Sequence, residues 1–141
     1  MIHDVTTDAD DPPPFIALRD VRLQSRNGVQ YSGGKQHHSG IEPQLFKQPH
    51  EKIFHAALEA AAALQWDIAS ATASEGRIEA TATTQLLRFK DDVAIRIRPT
   101  IDGTRLDIRS ASRVGSSDFG ANAKRIRAFL HELNNRLKTN T

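Results

Sequence analysis

The feature that most limits what this chain can fold into is a two-residue period running from about position 78 to 110. Ile78, Ala80, Ala82, Thr84 and Leu86 fall on one side of it, and Glu79, Thr81 and Thr83 on the other. After a turn at Arg88-Phe89-Lys90-Asp91 the pattern resumes as Val93, Ile95 and Ile97 against Ala94, Arg96 and Arg98. Pro99 ends that run, Asp102-Gly103 turns the chain, and Leu106, Ile108 and Ser110 extend the apolar side. Trp66, Ile68 and Ser70, ahead of a turn at Ser74-Glu75-Gly76, add a strand in front. Successive strand residues point to opposite faces, so the period sets one covered and one solvated face. Connections this short require antiparallel neighbours.

A slip of one residue would turn every side chain over, so matching like faces fixes the pairing. Ile97 then meets Leu106, Ile95 meets Ile108 and Val93 meets Ser110. On the outer face Arg96 stands opposite Asp107, and Arg98 opposite Arg105, a contact that calls for an acidic neighbour. Asp92 falls opposite Ala111 and Asp91 opposite Ser112. One end of the sheet therefore gathers Asp91, Asp92, Ser112 and Arg113 beside the start of the last helix.

Helical spacing brackets the strands. Pro49 and Glu51 open a first helix over 49–65, with an apolar stripe of Ile53, Ala57, Ala61 and Leu64. Ile126, Phe129, Leu130, Leu133 and Leu137 mark the last helix. The expected fold is α+β in two layers: helix, four-stranded antiparallel meander, helix, with both helices on one face of the sheet. At 141 residues the chain has the length of one domain. That domain is placed at 48–141, behind an irregular Pro/Gly/Asp-rich arm at 1–47. In the arm, Phe15-Ile16-Ala17-Leu18 and Val21 with Leu23 supply apolar groups, and Asn27-Gly28 suits a short hairpin toward Val29 and Tyr31.

Composition narrows the chemistry. The absence of cysteine excludes disulfides and thiol catalysis. No run approaches the roughly 20 apolar residues of a membrane span, and the acidic opening is no secretory signal. A net charge of +2, with no aromatics between the sheet arginines, argues against a nucleic-acid partner. The six histidines show no i, i+4 ligand pair, so neither a metal nor a cofactor is expected.

The densest polar stretch runs from Asp107 to Asn122. Its Ser-Arg-Val-Gly-Ser-Ser-Asp-Phe-Gly segment has parts for an anion site: Arg113, serine hydroxyls and backbone N–H groups at a helix start. The competing reading makes Ser117 or Asp118 the helix N-cap and pairs Arg113 with Asp91 or Asp92. The two aspartates suit an acid and base pair, or equally a structural ion-pair network. The outer face, with Thr81, Thr83, Arg96, Arg98, Arg105, Asp107 and Arg109, suits a docked polyanion, peptide or partner domain, or a solvated surface of weak salt bridges. The binding candidates are Asp91, Asp92, Arg109, Ser110, Ser112, Arg113, Ser117, Asp118 and Asn122. No catalytic residue is assigned.

Residues 41–135 resemble the bacterial and plastid family called Domain of Unknown Function 1499. The resemblance rests on Arg88-Phe89-Lys90-Asp91-Asp92-Val93, on the run from Ile108 to Asn122, and on Arg125-Ile126. It implies no settled activity. Many members carry a membrane anchor or lipoprotein signal, which implies the periplasm or cell envelope. This sequence has neither, and lacks the Asn-Cys segment of many members, so the expectation is the soluble part of a membrane-anchored protein. Three functions follow as expectations. The first is a non-catalytic module binding a small ligand or protein partner, with membrane association through a segment absent from this chain. The others are a hydrolase or transferase using Asp91, Asp92, Ser112 and Arg113, and a purely structural accessory domain.

Overall fold

The structure, a computed structural model, describes residues 3–35, 38–115 and 120–139. In chain order the elements are β1 (Asp4–Thr6), α1 (Arg19–Leu23), β2 (Gln44–Phe46), α2 (His50–Ala63), β3 (Asp67–Thr72), β4 (Arg77–Thr83), β5 (Lys90–Thr100), β6 (Gly103–Ser112) and α3 (Ala121–Thr139). All strand pairings are antiparallel, in the order β1-β6-β5-β4-β3, with β2 also on β6.

The fold is mixed α+β, with six strands and three α-helices among the described residues rather than the expected four and two. Both extra strands come from the first 47 residues and satisfy the same edge. β1 pairs with Arg109, Ser110 and Ala111, and β2 with Thr104, Arg105 and Leu106. The third helix, α1, replaces the hairpin expected around Asn27-Gly28. There Asn27 bonds the end of β6 instead, its N–H donating to Arg113 O at 3.0 Å.

The register of β5 on β6 matches the pattern argument at each expected pair, from Asp91 opposite Ser112 to Arg98 opposite Arg105. Ile78, Ala80, Val93, Ile95, Ile97, Leu106 and Ile108 form one core with Ile53, Ala57 and Ala61 of α2 and Ile126, Phe129 and Leu133 of α3. Trp66 stacks on Phe129 with ring centroids 5.5 Å apart.

Strand ends depart from the pattern. β4 stops at Thr83, so Leu86 lies in the following turn and faces solvent. A bulge between Ile68 and Ser70 in β3 breaks the alternation, leaving Ile68 38% exposed. Pro99 does not end β5, which continues to Thr100. The N–H of Ile97 bonds Gly76 O at 2.7 Å, just before β4 begins. Two residues later no described strand lies beside that edge, so the N–H that proline lacks is not needed.

The larger correction concerns the outer face. Much of it is covered rather than solvated: Phe15 and Leu18 pack there on Ala94 and Ala111 as a second core. Glu79, Asp92, Asp107 and Arg109 are buried beneath the N-terminal segment.

Candidate functional site

Because adjacent strand residues point apart, the sheet divides the candidate residues between its two faces. On the side facing α3, Asn122 is the organiser. Its Oδ1 accepts from Ser110 Oγ at 2.7 Å and Arg125 Nη1 at 3.0 Å, and its Nδ2 donates to Ser112 Oγ at 3.0 Å. Arg125 Nη1 also reaches Ser110 Oγ at 3.2 Å and Asp91 Oδ2 at 2.8 Å. These contacts fasten the first turn of α3 to the last residues of β6.

Across the sheet, Asp92 accepts four hydrogen bonds. Arg22 Nη1 and Arg113 Nε approach Oδ2 at 3.0 and 2.9 Å, while Arg113 Nη2 and Thr81 Oγ1 approach Oδ1 at 3.0 and 2.8 Å. Arg22 also donates to the backbone oxygens of Gly28, Ala111 and Ser112, and its guanidinium lies 4.6 Å from the centre of the Phe15 ring. Burial pulls the Arg22 guanidinium below its ordinary value, and the hydrogen bond and charge of Asp92 work the other way. Arg109 grips Asp4 with two bonds of 2.9 and 2.8 Å and covers the same Phe15 ring at 4.6 Å.

Further along this face Arg96, Arg98 and Arg105 meet Asp8 and Asp107. These are the acidic neighbours that relieve Arg98 opposite Arg105. The hydrogen bond to Asp107 is the main cause that raises Arg105 above its ordinary value. Glu79, also buried, accepts backbone N–H groups of Ile16, Ala17 and Leu18 at 2.8 to 3.1 Å, fixing the entry to α1. Burial raises the Tyr31 phenol to about 12, with Asp4 adding to the shift and Arg109 opposing it.

The structure thus brings Asp92 to Arg113, and joins Ser110, Ser112 and Asn122. It separates Asp91 from Asp92 by the thickness of the sheet, so Arg113 takes one aspartate and Arg125 the other. Arg109 belongs to a third cluster with Asp4. Ser117 and Asp118 lie outside the described residues. Arg22, Glu79, Asp4 and Arg125 were not among the candidates. The density of charge on one sheet face, with Glu79, Asp92, Asp107 and Arg109 among the apolar-spaced strand residues, was the available signal that another segment covers it.

Apart from these clusters, a groove of about 690 Å³ runs beside α2, lined by His50, Glu51, Phe54, His55, Leu58, Ala73, Ser74 and Pro99. His50 Nε2 sits 3.2 Å from Ile97 O at its edge. None of the nine candidates lines it. Among the described residues no group of three or more His, Asp or Glu is placed to hold a metal ion, and no helix is long and apolar enough to cross a membrane.

Fold and clusters define a mixed α+β domain whose N-terminal segment is threaded into its own sheet. Residues 4–133 match the family described as Protein of unknown function (DUF1499), and the chain belongs to that family. Among solved structures, TTHA0849 from Thermus thermophilus is similar with a TM-score of 0.41 and 11% identity, covering 70% of this chain and 96% of that one. No curated protein matches the chain.

Proposed function

We propose that this chain is a non-catalytic ligand-binding module of the cell envelope, taking a small amphipathic molecule in the groove beside α2. In this reading α2 and α3 cover one face of the β3 to β6 meander, and residues 1–47 are an arm clasping the domain at 48–141. The observation that carries it is the groove itself. Its volume is in the range of small-molecule sites, and its lining combines the apolar Phe54, Leu58 and Pro99 with the polar His50, Glu51 and His55.

The hydrolase or transferase reading is the weaker one. A catalytic pair needs side chains converging on a substrate, whereas Asp91 and Asp92 stand on opposite faces and Asp92 already accepts four hydrogen bonds. The sheet-end residues serve instead to hold the scaffold. Native mass spectrometry of the protein from its own source tests the proposal. A retained small molecule, lost when Leu58→Trp fills the groove, is the expected result. A clean apo mass, or a ligand that Leu58→Trp leaves bound, rejects it.

A further inference from the structure

The turn between β4 and β5 is held by its own hydrogen bonds, yet presents an apolar surface. Thr84 N–H donates to Phe89 O at 2.9 Å, Arg88 N–H to Thr84 O at 3.0 Å, and Phe89 N–H to Thr84 Oγ1 at 2.8 Å. Arg88 takes the left-handed conformation, φ +59°, to close it. Leu86, Leu87 and Phe89 are left 90%, 57% and 43% exposed. Val114 joins them at 45%, because Arg113 N–H donates to Lys90 O and draws the end of β6 alongside. Turns ordinarily carry polar residues and glycine, so four apolar side chains at one tip require an explanation.

The surroundings of the tip are cationic. Arg88 and Lys90 belong to it, and Arg26 adjoins the Asn27 that bonds Arg113 O. All three are exposed. Asp91 and Asp92 at this end are buried under Arg125, Arg22 and Arg113. The exposed Asp67 is set back, level with Thr81 rather than with the turn.

The geometry points to this end of the sheet as a docking surface for an anionic lipid bilayer. The apolar tip enters the boundary between headgroups and acyl chains, and the ring of cations meets the lipid phosphates. Four side chains are too few for a stable protein interface, which takes roughly 800 Å² from each partner. This inference does not rest on the groove. Pro99 of the groove lies nine residues along β5 from Lys90, about 30 Å at strand rise, so a docked domain keeps the groove open to its ligand.

Co-sedimentation of the full chain with phosphatidylcholine vesicles, with and without about one-third phosphatidylglycerol, tests it. The expected result is binding to the anionic vesicles that falls about tenfold on neutral ones. Leu86→Ser/Leu87→Ser and Arg88→Gln/Lys90→Gln should each weaken it by a similar factor, with thermal melting unchanged because these side chains are exposed. Failure to bind anionic vesicles, or equal binding by the Leu86→Ser/Leu87→Ser variant, overturns the inference. A dimer in sedimentation equilibrium that this variant dissolves would also overturn it, assigning the tip to a second copy of the chain.

Discussion

Arg22 and Asp92 lie 70 residues apart and meet at 3.0 Å, with side-chain exposures of 1% and 0%. The pair ties the N-terminal segment to the end of β5, a strand with neighbours on both sides. Arg22→Met takes one donor from Asp92, which keeps Arg113 and Thr81, so it should cost about 1.5–3 kcal/mol of unfolding free energy in urea. Asp92→Asn removes the carboxylate shared by the buried Arg22 and by Arg113, and should cost more, about 3–5 kcal/mol. The double variant should lose clearly less than the sum, since neither charge is then left alone.

Glu79 offers a separable test of the same arm. Its carboxylate collects the N–H groups of Ile16, Ala17 and Leu18, and hydrogen bonds to a charged group contribute about 1.5–3 kcal/mol. Glu79→Gln replaces one acceptor oxygen by a donor that faces other donors. Destabilisation of that order is expected, with faster hydrogen exchange at those three amides while the α2 amides stay protected.

Tyr31 is the only tyrosine in the chain, so phenolate absorbance reports it alone. Burial raises its folded value to about 12, against about 10 for an unperturbed tyrosine. A raised value means the folded state holds the proton more tightly. The resulting stabilisation is fully present below about pH 10 and drains away between about 10 and 12. Titration of the folded chain should show its midpoint near the upper value, and titration in denaturant near the lower. In Asp4→Asn the folded midpoint should move down.

Gly76 has φ +62°, and a Cβ placed there would lie 2.0 Å from Ile97 O and 2.8 Å from His50 Nε2. Because the first obstacle is backbone, the strand must shift to admit even one methyl. Gly76→Ala should cost roughly 1–3 kcal/mol or more, and should disturb the groove at His50.

The β5 and β6 register was legible because its alternation is long and its turn short, leaving one pairing that keeps Ile95 with Ile108. Arg113 near an aspartate followed from that register. What could not be read was which residue of the arm turns inward. Pattern reasoning favours Val21 and Leu23 over Arg22, yet both apolar residues are exposed and the arginine is buried. The preference inverts because the surface beneath already contains Asp92 and the carbonyls of Ala111 and Ser112, which only a donor-rich side chain can satisfy. Leu86 misled for the opposite reason: its apolar character continued the period after the backbone had left the sheet.

β1 and β2 lie end to end along the outer side of β6, covering its Thr104–Leu106 and Arg109–Ala111 stretches. A strand edge left bare is a template on which other chains can polymerise. Residues 4–6 and 44–46 therefore act as an internal blocker of strand addition. Trimming them off would convert a self-limited sheet into one that recruits its neighbours.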